Sequence, residues 1–189
     1  MKHVLILTTL LAGFATHASA QQIGVVASAE PTLTGTPPGA ASRPLLLGTD
    51  VVFNETVRAS ETGRGQLLFR DQSTLTLAPN AEIVLDRFVY DPDAGTGEIG
   101  LSLTRGVLRF IGGRAARAQE ATITTPTATI GIRGSSAFVQ HVGGRTIAIF
   151  IAGERLCIRV GGQESCTSRR GGVLTEDGYR GSVTAEDLA

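Results

Sequence analysis

Turn signals recur at intervals of about 8 to 12 residues along most of this 189-residue chain, and the stretches between them are short and rich in β-branched and apolar residues. That spacing suits strands and leaves no stretch for a helix of useful length. Residues 123–139, ITTPTATIGIRGSSAFV, show it most densely, with Pro126, Gly131 and Gly134 punctuating the runs. The pattern predicts strands over residues 50–53, 66–70, 74–77, 82–90, 99–103, 106–110, 121–124, 128–132, 137–141, 146–151, 155–160, 163–167 and 172–174. Leu67, Phe69, Leu75, Leu77, Ile83, Leu85, Leu101, Leu103, Val107 and Ile123 alternate with small or polar residues, so each strand is expected to bury one face. The fold class is therefore all-β. Periodicity leaves stacked coils of a solenoid and a Greek-key β-sandwich equally open.

The N-terminus carries an export signal. Lys2 and His3 precede the apolar run VLILTTLLAGFA, and Ala18-Ser19-Ala20 forms a small-residue site of the A-x-A type. Residues 1–20 thus read as a secretory signal peptide cleaved after Ala20. The run is too short to span a bilayer, and no later window approaches about 18 consecutive apolar residues. No cysteine follows it to accept a lipid. The remaining 169 residues (189 minus 20) suffice for one core, and the expected location is periplasmic or secreted. Residues 21–44, including SAEPTLTGTPPGAAS, read as a flexible leader or loosely attached first strand. Residues 45–142 form the expected β domain, 143–175 a C-terminal β-hairpin extension, and 176–189 a tail.

Charge excludes one class of partner. The chain has 17 basic and 17 acidic residues, and its sole lysine, Lys2, lies in the signal. General nucleic-acid binding normally shows as a basic excess, so no nucleic acid is expected. Arg114, Arg117 and Arg169-Arg170 read as solvated loop residues. Arg105 and Arg109 are expected to share a surface, with Val107 on the opposite face of their strand.

The two cysteines can be placed by hairpin arithmetic. If Gly161-Gly162 form a two-residue primed turn, Val160 opposes Gln163, Arg159 opposes Glu164, Ile158 opposes Ser165, and Cys157 opposes Cys166. Counting from the turn makes the cysteines a non-hydrogen-bonded pair with Cα atoms about 4.5 Å apart, within disulfide range. A structural Cys157–Cys166 disulfide is expected in an oxidising compartment. The sequence contains no C-x-x-C and no nearby histidine that would point to redox or metal chemistry.

Catalytic and ligand sites find little support. His141 is the single histidine left after cleavage, which removes most dyads and histidine-based metal sites. Ser135 and Ser136 lie in GIRGSSA, which is no G-x-S-x-G elbow, and read as turn hydroxyls. Asp91, Asp93 and Glu98 gather carboxylates near glycines, but Gly95 stands where a third calcium ligand should lie, so a solvated turn is expected. An Asp86 and Glu98 pair for glycoside hydrolysis lacks a flanking aromatic platform; the chain has no tryptophan and two tyrosines. No catalytic residue, cofactor or metal is expected.

Several pieces match one family in order. They are Gly48-Thr49-Asp50, the turn from Phe69 to Thr74, Ala78-Pro79-Asn80, Phe88 to Pro92, Thr104-Arg105-Gly106 and Thr125-Pro126. Over roughly Leu45 to Val142 the chain resembles the FecR domain family of bacterial envelope proteins. Gly134-Ser135-Ser136 stands where that family usually has a Gly-Thr pair, and a serine keeps a short hydroxyl in the turn. The resemblance implies a twisted, solenoid-like β-roll, with the cysteine hairpin as an added sheet covering one end. Its best-known members are transmembrane anti-sigma regulators that carry this module outside the membrane and receive a signal from an outer-membrane transporter. The sigma-binding region and membrane helix have no counterpart in this sequence. The expected function is that of an exported, non-enzymatic module binding a protein partner or a surface polymer in the envelope. The alternative is a signal-relay component acting with a separately encoded membrane partner.

Overall fold

Strands that bury one face must find a second layer to cover it, and here the chain supplies that layer by crossing repeatedly between two sheets. A computed structural model describes residues 21–183 apart from Pro31 and Ser135. The expected signal peptide, residues 1–20, lies outside the described residues, as does the stretch 184–189. In chain order the strands are β1 (Gln22–Glu30), β2 (Leu33–Thr36), β3 (Arg43–Leu45), β4 (Asp50–Val52), β5 (Thr56–Ala59), β6 (Arg64–Phe69), β7 (Thr74–Leu77), β8 (Glu82–Asp91) and β9 (Thr96–Ile111). A short helix, α1 (Arg114–Ala118), follows. Then come β10 (Ala121–Thr124), β11 (Thr129–Arg133), β12 (Ser136–Val142), β13 (Arg145–Ala152), β14 (Arg155–Val160), β15 (Gln163–Thr167), β16 (Gly172–Thr175) and β17 (Gly178–Ser182).

Pairings resolve these into two layers. Sheet A runs β4-β1-β6-β7-β9-β12-β13-β16-β17. Sheet B runs β3-β2-β5-β8-β9-β10-β11-β14-β15. From β6 onward the chain lays a hairpin in one sheet, crosses, and lays the next in the other. The result is the solenoid-like β-roll that the resemblance implies, with the two packed layers of a sandwich. Ile23, Leu67, Leu75, Leu108, Val139 and Ala148 from sheet A meet Leu33, Val57, Ile83, Leu103, Ile130 and Leu156 from sheet B in one buried cluster. Burying a side chain of the valine, leucine or isoleucine type contributes about 1.5 to 3 kcal/mol.

β9 belongs to both sheets. Its first half pairs with β8 and β10 in sheet B, and its second half with β7 and β12 in sheet A. Ile99, Leu101 and Leu103 point inward in the first half, Leu108 and Phe110 in the second, so the phase shifts by one residue. The shift falls at Gly106, which has φ of 94°, next to a register break between the Glu82–Arg105 and Ile83–Leu103 pairs. A bulge of this kind turns the side chains beyond it to the other face. Val107 consequently faces outward beside Arg109, against the expectation that it is buried. Arg105, before the shift, pairs with Glu82 of sheet B, whereas Arg109, beyond it, lies over Phe138 of sheet A.

Three other expectations change. Residues 21–44, expected as a flexible leader or loosely attached first strand, supply β1, β2 and most of β3, and Ile23, Val26 and Leu33 are each 1% exposed. β1 recruits this segment by pairing with both β4 and β6, burying apolar side chains too sparse to register as periodicity. The cysteine hairpin β14–β15 is no separate sheet: β14 pairs with β11 and continues sheet B. β17 likewise extends sheet A into residues expected as tail.

Among the described residues every strand pairing is antiparallel except β9 with β10. A parallel neighbour needs a crossover, and α1 makes it. The Asp71 carboxylate, fully buried, accepts hydrogen bonds from the Ser73 N–H (3.0 Å), the Ser73 hydroxyl (2.7 Å) and the Ala115 N–H in the first turn of α1 (3.3 Å). Ser73 Oγ in turn accepts from the Gly113 N–H at 2.8 Å. One buried acid thus ties the β6–β7 turn to the start of the crossover.

Candidate interaction surface

The outer faces of the two sheets differ in kind. On sheet B, outward arginines are matched by carboxylates. Arg58 and Arg105 flank Glu82 at 3.0 and 2.9 Å, Arg87 meets Glu98 at 2.6 Å, and Arg159 lies between Glu120 (2.6 Å) and Glu164 (2.7 Å). The hydrogen bond from Arg58, helped by both arginine charges, holds the Glu82 carboxyl below the usual carboxylate range against the opposing effect of burial. Glu120 raises the Arg159 guanidinium pKa further. Such a face is neutralised pair by pair.

Sheet A presents a stripe of apolar side chains instead. Val107 and Ile111 of β9, Phe138 of β12, Ile147, Ile149 and Ile151 of β13, and Val173 of β16 all turn outward and are at least partly exposed. Cross-strand register lines them up: Thr76 faces Arg109, Arg109 faces Phe138, Phe138 faces Ile149, and Ile149 faces Val173. Phe138 is 41% exposed, and the Arg109 guanidinium lies over its ring, 5.9 Å from the centroid. A depression opens on each side of Phe138. The first, about 330 Å³, is floored by Thr76, Pro79, Val107 and Leu108 and edged by Arg64 and Arg109. The second, about 480 Å³, is formed by Ile149, Ile151, Ala152, Gly171 and Val183 and edged by Arg170.

The sequence-derived chemical candidates fall elsewhere. His141 is buried, and its Nδ1 lies 3.0 Å from Thr146 Oγ1 rather than near a serine. Ser136 opens β12, five residues and so about 17 Å along an extended strand from His141; Ser135 lies outside the described residues. The Asp91 carboxylate is engaged by the Asp93 and Ala94 N–H groups of its own turn, and Glu98 by Arg87. Asp86 accepts the Ser102 hydroxyl. Cys157 and Cys166 are joined, with S–S 2.09 Å and Cα atoms 4.0 Å apart, in the register Val160–Gln163, Arg159–Glu164, Ile158–Ser165. Among the described residues, the converging trio of metal-type donors is these two sulfurs with Glu164, and the sulfurs are occupied by their mutual bond.

Because the bridge closes a loop of about ten residues, its removal in Cys157→Ser/Cys166→Ser is expected to lower stability by about 2 to 3 kcal/mol. Urea denaturation of the double variant measures this, and an unchanged midpoint would mean that strand pairing alone secures the hairpin.

A partly buried polar knot underlies the β16–β17 turn. Glu176 Oε1 accepts from the Thr146 N–H and, at 2.9 Å, from the Thr127 hydroxyl, while Thr146 Oγ1 lies 2.7 Å from Thr125 Oγ1 and 2.8 Å from Thr127 Oγ1. Burial pushes the Glu176 carboxyl up, but these hydrogen bonds and the Arg145 charge outweigh it and leave it below its ordinary value. A depressed carboxyl contributes stability above the unfolded-state pKa of about 4.3, and that contribution is lost as pH falls through the folded value. Protection factors of the β16 and β17 amides, referred to the intrinsic exchange rate at each pH, should therefore fall under acid, and Glu176→Gln should flatten the response. Equal protection at roughly pH 6 and roughly pH 3 would refute the link.

Phe138 was not legible as a surface residue, whereas Arg170 was read as a solvated loop residue and is exposed. An aromatic between buried Ala137 and Val139 was the available signal for Phe138. Nothing comparable marked β13, since its two faces are both apolar, and a strand of that composition does not disclose which face is covered.

Comparison with known proteins gives consistent likenesses. The family model described as FecR protein matches residues 55–154. Two crystal structures of a candidate anti-sigma factor from Parabacteroides distasonis ATCC 8503, at 2.50 and 1.65 Å, share the fold with TM-scores of 0.51 and 0.52 at 11% identity. The alignment covers 64% of this chain and 53% of theirs, so the chain spans about half the length of those structures. No curated protein matches the sequence.

Proposed function

The chain belongs to the FecR protein family, and from that premise we propose that it is an exported, non-enzymatic module whose work is to bind a protein partner in the bacterial envelope. The observation that carries this reading is the outer face of sheet A, an apolar stripe with two depressions on a face that the described residues leave open. Contiguous apolar surface of this sort marks interaction sites. Export is supported by the N-terminal signal pattern and by the disulfide, which suits an oxidising compartment. Among the described residues no helix is long and apolar enough to cross a membrane. The non-enzymatic reading is supported by the placement of His141, Asp86 and Glu98, each engaged in a separate structural contact, and by the distance of Ser136 from His141 along β12.

A second reading has one observation in its favour, the fold likeness to a candidate anti-sigma factor. In it the bound partner is a membrane protein of a signal relay.

Both readings meet one experiment. A photocrosslinking amino acid is placed at Thr76 or Phe138 on sheet A, and at Thr122 or Thr129 on sheet B, in cells exporting the protein. A discrete protein adduct is expected, and the adduct's identity as membrane-bound or not separates the two readings. Absence of any adduct from all four positions would remove the partner-binding reading.

A further inference from the structure

From the charge pattern around Phe138 we infer that the outer face of sheet A takes an acidic segment of a partner protein, with aliphatic or aromatic side chains entering the two depressions and carboxylates meeting Arg109 and Arg170. This inference rests on the partner-binding reading and adds the chemistry of the partner.

Three observations converge on it. First, Arg64, Arg109 and Arg170 are exposed and have no ion pair among the described residues, although five arginines across sheet B are matched with carboxylates at 2.6 to 3.2 Å. The chain has as many acids as bases, so this imbalance is one of placement. Glu30 stands opposite Arg64 in register, but at the end of its strand, away from the stripe. Second, the unmatched arginines edge the depressions: Arg64 and Arg109 the first, Arg170 the second. Third, Phe138 lines both depressions and holds Arg109 against its ring, which orients the guanidinium before any partner arrives.

The spacing suits one continuous segment. β9 to β16 is three strand separations, about 14 Å, a distance a short peptide covers with apolar side chains in both depressions. Arginine forks match carboxylates in a bidentate way. An anionic membrane fits less well. The apolar groups line concave depressions rather than projecting, and the face carries three arginines without the larger basic cluster that surface attraction to lipid needs.

Selection of random phage-displayed peptides on the protein purified from the periplasm tests the inference. The enriched sequences should place Asp or Glu beside Leu, Ile, Val or Phe. Their binding should weaken with salt and fall at least about tenfold in Arg109→Gln/Arg170→Gln, while Arg87→Gln on sheet B leaves it unchanged. Thermal melting of each variant confirms that it is folded. Peptides without acidic residues, binding indifferent to the sheet A substitutions, or no enrichment at all would each overturn the inference. So would arginine-dependent sedimentation with phosphatidylglycerol vesicles, which would give the face to a membrane. A chain ending at Val183 should bind the same peptides equally well. Binding that arises only after that truncation would overturn a partner in trans, because the removed sequence contains Glu186-Asp187-Leu188. A crosslinked partner found only on sheet B would also defeat the inference while leaving partner binding intact.

Discussion

Gly106→Ala is expected to destabilise the protein by about 2 to 5 kcal/mol, the sum of a left-handed backbone penalty of about 1 to 2 kcal/mol and overpacking of about 1 to 3 kcal/mol. With φ at 94°, a side chain is disfavoured whatever the space around it. Space is also absent: a Cβ at Gly106 would lie 2.5 Å from the Cα of Ala81 and 2.9 Å from its N. Those are backbone atoms of the turn that Ala78, Pro79 and Asn80 build, with Pro79 at its second position, Asn80 at φ of 62°, and the Ala81 N–H returned to the Ala78 carbonyl at 3.2 Å. Neither side can yield without moving a turn or breaking the point where β9 passes from one sheet to the other. Gly143→Ala is the matched control, since Gly143 also has positive φ (60°) but nothing within 4 Å of its Cβ position. It should cost about 1 kcal/mol. Urea unfolding of the two variants separates backbone conformation from close approach, and equal losses would show that the contact with Ala81 is relieved without cost.

Asp71→Ala should lower stability by about 3 to 4 kcal/mol. The substitution leaves the Ser73 N–H and Ala115 N–H without their acceptor in a place where water does not reach. Asn is not expected to rescue it, because the carboxylate accepts at both oxygens and an amide nitrogen would face a donor. Exchange of the α1 amides should accelerate more than that of β14, which the network does not touch. A uniform change, or none, would mean that α1 is held by its buried Ala115 and Ala116 alone.

These two residues also show what the matched sequence pieces are for. The Phe69 to Thr74 turn holds Asp71, Ala78-Pro79-Asn80 forms the turn beside Gly106, and Thr104-Arg105-Gly106 carries the crossing of β9. Each piece builds the roll, and none converges on a chemical site. The resemblance was therefore a sound guide to fold and a weak one to activity.

Local chemistry reached some features directly. β7, β10, β14 and β15 span the residues that alternation and turn signals predict, because their limits are set by neighbouring Gly, Pro and polar residues. The Cys157–Cys166 register follows from a two-residue glycine turn, where counting outward leaves one pairing. β1, β2 and β3 were not legible as ordered strands, since a segment rich in Thr, Gly and Ala becomes one only when distant β4, β5 and β6 offer it a ladder.

The amino-acid sequence by itself determined the all-β class, the hairpin register and the positions of the turns, because each depends on residues within a few positions of one another. Tertiary structure alone decided that Arg105 and Arg109 part company at Gly106, that the leader joins both sheets, and that sheet A keeps an apolar face whose arginines are unmatched among the described residues. Those outcomes depend on which strands meet across the roll. A strand's composition states how apolar each face is, but only its neighbours decide which face is covered.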